Sequence, residues 1–438
     1  MKYILLILLL LVSFTIKAQT KTLLITKEEV LSKVKEGNNT LKISQQEVLA
    51  ATGDFNQTNA VFLPNITASH TGIATTNPLM AFGSKLNQEI LTQNDFSPNL
   101  LNDPSQIQNY ATKIEVIQPI LNLDGLHQRK AAKAKLSAIR LQSYRTEEYI
   151  TLEVEKWYMQ LQLAYKTLEV LEIAKRSVLE NKRIANNSFS QGYLQKTDLL
   201  SIDVRVTEIE NQLQIAKSNI QNISNYLSIL MGDTSYQVLM PIDELHLISE
   251  EKPIGDLPKD RADIKAFQLS TDAYEQMNKA DKMSFLPRLN AFGSYELFDD
   301  KVFQADANGY TFGAQLSWNI LEGSKRFGKI QKSSAEFEKS KLQYQEYIAQ
   351  SQLELNKASR MLLDAKNNLK LTELALEQSK ESLRIRTNRF KEGLEKTSDL
   401  LMAENQYAQK QLEYYQTIYT YNFGYAYLQF LTKEHLEK

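Results

Sequence analysis

Leu199, Ile202, Val206, Ile209, Leu213, Ala216, Ile220, Ile223, Leu227 and Leu230 recur at alternating steps of three and four residues. That spacing keeps one apolar stripe on one face of a helix, and it predicts a coiled-coil helix of about 33 residues. Val154, Trp157, Leu161, Ala164 and Leu168 form a second seam with the same period. It lies in a stretch of 66 residues, between Gly125 and Gly192, that contains neither glycine nor proline. A comparable stretch of 64 residues separates Gly328 from Gly393. Because ordinary helices average about 11 to 12 residues, these segments predict very long helices, each roughly 95 to 100 Å at 1.5 Å per residue.

The two halves of the chain repeat one another. Phe189-Ser190-Gln191-Gly192 matches Phe390-Lys391-Glu392-Gly393, and Asp198-Leu199-Leu200 matches Asp399-Leu400-Leu401, all at a shift of 201 residues. The same shift carries the seam at Val154 to Leu168 onto Leu355, Ala358, Leu362, Ala365 and Leu369. The returning helix of the second copy keeps the register as Leu400, Ala403, Tyr407, Lys410, Tyr414, Thr417, Tyr421, Gly424, Leu428 and Leu431, a more aromatic and polar seam. Upstream the shift is 223 residues, pairing Phe62-Leu63-Pro64 with Phe285-Leu286-Pro287. The first helix opens on a capping box, Thr26-Lys27-Glu28-Glu29, and is expected to run to about Val61; its counterpart runs from near Asp260 to before Pro287. The expected organisation is a leader at 1–18, a first repeat at 19–241 and a second at 242–438. The segment from Gly232 to Leu257, with Pro241 and Pro253, reads as irregular.

Between the helices the period changes from seven to two. Tyr310, Phe312, Ala314, Leu316, Trp318 and Ile320 alternate with polar residues, which predicts a strand from Tyr310 to Leu321 with one apolar face. Leu289 to Phe298 is its partner, although both of its faces carry aromatics. In the first copy Ile114 and Val116 share one face and Lys113 and Glu115 the other, opposite a Thr-rich mate from Asn65 to Thr75. Such strands fit either a transmembrane barrel or a sheet packed on a soluble core. Two hairpins give four strands, too few to close a barrel, so a membrane-spanning version must oligomerise. The loop from Asn77 to Asn109 is long and polar; the second, from Asp299 to Gly309, is short.

Composition narrows the choice. Lys2, an apolar run from Ile4 to Ile16 and the small Ala18 form a secretory signal peptide, with a retained anchor as the alternative. Cleavage leaves 49 basic against 52 acidic residues, a balance that does not attract nucleic acid. No cysteine is present, which excludes disulfides and thiolate metal sites. His70, His127, His246 and His435 lie on different elements and read as surface or loop residues, and no nucleophile elbow or phosphate loop occurs. No catalytic site, metal site or cofactor is expected.

These residues resemble the TolC family of outer-membrane efflux proteins. The resemblance rests on Phe62-Leu63-Pro64-Asn65-Ile66 and Phe285-Leu286-Pro287-Arg288-Leu289, on Gln118-Pro119-Ile120-Leu121, on Arg261-Ala262-Asp263-Ile264-Lys265, and on the two turns. It implies a mainly α fold with a β-hairpin per repeat: a long coiled-coil α-barrel joined to a transmembrane β-barrel, formed as a homotrimer with four strands per protomer. It implies an exit duct in the outer membrane of a Gram-negative bacterium, with a long periplasmic extension, serving a tripartite efflux or type I secretion system with a periplasmic adaptor and an inner-membrane pump. Tyr310, Phe312, Leu316 and Trp318 would face lipid. Gly192, Tyr193, Gly393 and Leu394 would dock the adaptor. Helix capping explains Asp198 and Asp399, beside Thr197 and Ser398, by the preference for acids and hydroxyls at helix starts; the resemblance adds that they would ring the periplasmic aperture, and both can hold. A soluble periplasmic coiled-coil adaptor or scaffold is the competing reading.

Overall fold

The computed structural model describes residues 22–248 and 255–435. The leader expected at 1–18 lies outside the described residues. The chain divides into two compact units: one comprises residues up to Gln45, Ser143–Ala262 and those from Ile348 onward, the other Gln46–Gln142 with Asp263–Tyr347.

The first unit is built on long helices. Helix α1 (Lys27–Gly37) starts at the expected capping box, Thr26 N–H donating to Glu29 at 3.0 Å and Glu29 N–H donating to the Thr26 hydroxyl at 3.2 Å. The helix expected to continue to Val61 is interrupted at Asn38 and resumes as α2 (Asn39–Gln57), followed by a single 3₁₀ turn. The break has a local cause. The Asn38 amide donates to the Leu230 carbonyl at 2.8 Å while its oxygen accepts the Leu41 N–H at 3.1 Å, so one side chain caps the restarting helix and ties it to a distant helix end.

The two glycine-free stretches form the long helices α5 (Leu123–Ser190) and α8 (Lys325–Lys391), and the returning seams form α6 (Lys196–Met231) and α9 (Thr397–Leu431). Val154, Leu161, Ala164, Ile220, Ile223 and Leu227 are buried with Val30 and Val34 of α1 in one apolar cluster. Leu355, Ala358, Leu362 and Ala365 pack on Tyr421, Tyr425, Leu428 and Leu431 in its counterpart. The seams at Val154–Leu168, Leu199–Leu230 and Leu355–Leu369 thus lie in the cores of the helical pairs. The second returning seam is instead buried at Leu400 and Ala403 and again at Tyr421 to Leu431, with Tyr407, Lys410, Tyr414 and Thr417 half-buried and Glu404, Ala408 and Ile418 buried in that stretch.

The irregular linker holds a strand that the sequence pattern does not reveal. Strand β1 (Thr22–Ile25) pairs in parallel with β4 (Val238–Pro241), Leu23 opposite Leu239. Leu239 is buried, its N–H donates to the Ser224 hydroxyl at 3.0 Å, and its carbonyl accepts from the Tyr165 hydroxyl at 3.0 Å.

The second unit carries the sheet. Strands β2 (Asn65–Thr75), β3 (Ile107–Leu121), β5 (Arg288–Asp299) and β6 (Ala307–Ser317) pair antiparallel in the order β2-β3-β5-β6. The two hairpins are therefore joined edge to edge, and helix α7 (Ala262–Met283) precedes the second. Strand β6 begins earlier and ends sooner than its alternation suggests. After Ser317 the ladder ends, and the Trp318 indole N–H donates to the Phe285 carbonyl at 2.9 Å while Asn319 bonds to Glu322 at 2.7 Å. The long loop is also more ordered than a polar, proline-bearing segment suggests. It contains helix α3 (Pro78–Asn87) and the short helix α4 (Pro98–Asn102), each with proline in its first turn and a side-chain cap, Asn77 and Ser97 respectively.

Candidate functional site: a two-faced sheet and two helical turns

Strand register sorts the sheet into an apolar and a polar face. Ile66, Val116, Gly293 and Phe312 lie in one cross-strand row, and Ala68, Ile114, Tyr295 and Tyr310 in the next on the same face. Phe312 is 78 % exposed, and Ile66, Ile114, Tyr310 and Leu316 are exposed beside it. The opposite face carries the rows Thr67, Glu115, Ser294, Thr311 and Ser69, Lys113, Glu296, Gly309. There Lys113 pairs with Glu115 at 3.0 Å and with Glu296 at 3.6 Å. An exposed apolar face is unstable in water and stable in hydrocarbon, whereas a charged triad requires water. The aromatics on both faces of β5 are also accounted for. Tyr295 joins the apolar rows, while Phe292, on the polar side, lies over Gly313 of the neighbouring strand.

Tyr310, Phe312 and Leu316 project from β6 on the apolar face, and Trp318 follows just beyond its end, exposed but anchored through its indole. At the other end of the sheet, Gln88 follows α3 and is buried. Its amide nitrogen donates to the carbonyls of Gln108 and Asp299, at 2.8 and 3.2 Å, and to the Asn109 side-chain oxygen at 2.8 Å. Lys85 and Asp95 pair at 2.7 Å within the same loop, and that ammonium with the Thr92 donors holds the Asp95 carboxyl down at about 2. His70 is not a loop residue. It lies within β2, bonded to the Thr112 hydroxyl at 2.8 Å and stacked on Phe303.

The first unit presents the duplicated turns. Gly192 and Gly393 take φ of +81° and +72°, which a β-carbon would strain. In each turn the glycine N–H bonds to a phenylalanine carbonyl, Phe189 or Phe390, and the next N–H closes a six-residue loop, Tyr193 to Ser188 at 2.9 Å and Leu394 to Arg389 at 2.8 Å. This is the Schellman arrangement that terminates a helix, and it leaves Tyr193 80 % and Leu394 67 % exposed.

The two acids begin the returning helices with different partners. Asp198 accepts the Gln195 N–H at 3.1 Å, capping α6. Asp399 stands 3.9 Å from Arg386. The neighbouring hydroxyls are not the caps: Thr197 contacts the Gln195 side chain at 3.4 Å, and Ser398 contacts Asp399 itself at 3.4 Å. Arg386 is chiefly engaged by Glu395, at 2.8 Å, which also takes Arg389 at 2.7 Å. The first turn has Ala185, Ser188 and Leu194 at the matching positions. Only the second turn is clamped by this Arg-Glu-Arg cluster.

Residues 254–428 match the family model described as outer membrane efflux protein. The matched segment is about two fifths of the chain. More than nine tenths of the chain shares its fold with solved outer-membrane proteins. CusC, in a structure describing folding and transmembrane channel formation, is 13 % identical with a TM-score of 0.80, over 94 % of this chain and 92 % of that one. The outer membrane protein VceC from Vibrio cholerae is 16 % identical with a TM-score of 0.79, over 93 % and 96 %. The CmeC outer membrane channel of Campylobacter jejuni is 15 % identical with a TM-score of 0.79, over 93 % and 85 %. No curated protein matches the chain by sequence. At these identities the likeness establishes the fold alone.

Three features of this fold are not evident in the sequence. The Arg-Glu-Arg clamp had a signal, Arg386 and Arg389 one turn apart with Glu395 just beyond Gly393. Gln88 had none, since its partners are chiefly backbone carbonyls on distant strands. The third is Glu404, buried on α9 and aligned with Asp203 of the first copy.

Proposed function

We propose that this chain is the outer-membrane exit duct of a tripartite efflux or type I secretion system, passive in itself and driven by an inner-membrane pump through a periplasmic adaptor. The supporting observation is the sheet: four strands with one face apolar and exposed, one face charged, and β2 and β6 as its outer strands. In lipid every backbone group must be satisfied, so these edges pair with other copies. Three copies make a twelve-stranded barrel, with the Lys113-Glu115-Glu296 face lining water and Phe312 facing acyl chains. The two structural repeats, 19–241 and 242–438, then each supply one hairpin and one long helical pair to a third of the ring.

In this reading Gly192-Tyr193 and Gly393-Leu394 are the adaptor-docking turns, since exposed apolar side chains on rigid helix ends suit a binding surface. Asp198 and Asp399 face the aperture, where carboxylates select for cations. The protein, extracted in detergent and added to planar bilayers, is expected to run as a trimer and conduct ions. Extraction without detergent, as a monomer that leaves the bilayer silent, would instead point to a soluble coiled-coil scaffold.

A further inference from the structure

Glu404 occupies a position where an ionised acid does not belong. It lies between Leu400 and Ala408 on α9, one helical turn from each, and both of those residues belong to an apolar cluster with Val178 of α5 and Ile202 and Ile209 of α6. Glu404 is 2 % exposed, and neither carboxylate oxygen completes a hydrogen bond. The joint it sits in brings the returning helix of the second copy against the helical pair of the first.

Comparison of the copies explains why the acid is stranded. Its counterpart Asp203 is paired with Lys182 of α5 at 2.5 Å. The residue that matches Lys182 at the same shift of 201 is Leu383. The second copy has kept the acid and replaced its cation with a hydrocarbon. Ser177 and Asn181 of α5 and Arg205 of α6 face Glu404, but Arg205 is bound to Glu208 at 3.2 Å. From α8 the same cluster receives Leu383 and Phe390, both apolar. Arg386, a cation of that helix, is committed to Glu395.

We propose that Glu404 is a proton-operated latch: neutral, it holds the second returning helix against the first helical pair, and ionised, it loosens that joint and favours opening of the helical mouth. The opening half of this inference rests on the duct reading. Burial pushes the Glu404 carboxyl from 4.5 up to about 7, against the weaker lowering pull of Ser177, Arg205 and Asn181. The sign follows from which state keeps the proton. Below about pH 4.5 both packed and loosened states are protonated and the joint is at its tightest. Between about 4.5 and 7 the loosened state releases the proton and the packed state retains it, so each pH unit shifts the balance about tenfold toward loosening. The full shift is about 300-fold, complete above about pH 7.

The test uses the full-length protein in bilayers from pH 5 to 8, beside Glu404→Gln and Leu383→Lys. Wild type is expected to open increasingly as pH rises. Glu404→Gln, permanently neutral, should stay at the level wild type shows in acid. Leu383→Lys restores to Glu404 the partner that Asp203 has, and should move the transition to lower pH. Hydrogen exchange of amides 400–408 and 202–209, corrected for intrinsic rate, gives a readout independent of conduction. It should loosen with pH in wild type and stay flat in Glu404→Gln. An unchanged pH response of Glu404→Gln in exchange overturns the latch, even where conduction upholds the duct. A Glu404-dependent exchange response in a protein that never conducts keeps the latch and removes the duct. Should Glu404→Gln fail to assemble, an unshifted transition in Leu383→Lys overturns the proposal by itself.

Discussion

Gly37 lies so close to Met231 that a β-carbon on it would stand 1.9 Å from the Met231 carbonyl oxygen. The end of α1 and the end of α6 meet backbone to backbone, and Asn38 then bonds across the same junction. Gly37→Ala forces this contact apart, and overpacking of that kind costs about 1–3 kcal/mol or more. Gly53 is the internal control, a glycine within α2 with nothing within 4 Å of its missing β-carbon. Gly53→Ala should stabilise by about 0.5–1 kcal/mol through helix propensity. Denaturant midpoints of the two variants should move in opposite directions, and a neutral Gly37→Ala would remove the junction from the account.

Phe312 and Thr311 are adjacent in β6, on opposite faces and near the strand's midpoint. If the apolar rows face lipid, Phe312→Arg places a cation at mid-membrane depth, which costs about 2–4 kcal/mol. Thr311→Arg, in the same row as Glu115 on the polar face, should be tolerated. The measurement is the amount of assembled protein in the outer-membrane fraction. Equal recovery of both variants would mean that the apolar face is not in lipid.

The legibility of these features in the sequence follows the range of the forces that make them. The seams from Leu199 to Leu230 and from Leu355 to Leu369 are legible because burial repeats every seven residues, and repetition is what a single sequence can display. The hairpins are legible for the same reason at period two, and register then settles which face of β5 is which. Strand β4 is not, because four residues cannot establish a period and its partner lies at the far end of the repeat. The break at Asn38 depends on Leu230, a contact no local pattern encodes. Glu404 is an intermediate case. The alignment of copies sets it opposite Asp203, and the missing lysine at Leu383 is visible there, but only burial gives that absence a meaning.

Gln88 secures the structured loop to the sheet through three acceptors, so its loss should free the loop without unfolding the strands. Gln88→Ala leaves the Asn109 oxygen and two carbonyls without their shared donor, at a cost of about 1–3 kcal/mol. Limited proteolysis should then cut between residues 88 and 106 in the variant and spare the wild type. The Lys85-Asp95 pair adds a pH dependence of known sign. The Asp95 carboxyl is lowered from 3.8 to about 2, so its contribution is complete above 3.8 and fades as pH falls toward 2. Proteolysis by an acid protease near pH 2 should therefore open the loop even in the wild type, and Asp95→Asn should bring that opening to neutral pH.

Asp198 and Asp399 occupy matching positions but not matching fields. Asp399 shares its charge with Arg386, and Arg386 is itself held by Glu395, whereas Asp198 is turned to the Gln195 N–H of its own helix. A carboxylate facing a guanidinium offers less potential to a passing ion than one whose partner is a neutral amide. If both acids line the aperture, Asp198→Ala should weaken block by a trivalent cation more than Asp399→Ala, and the double substitution should weaken it most. Arg386→Ala should strengthen block, because it releases Asp399 and Glu395 together. Asp198→Ala also removes a helix-start acceptor worth about 0.3–1 kcal/mol, too little to disassemble the turn. Block is read as the concentration of hexaamminecobalt that halves the current in planar bilayers. Identical values in wild type and the double variant would place both acids outside the conduction path and leave capping as the whole role of Asp198.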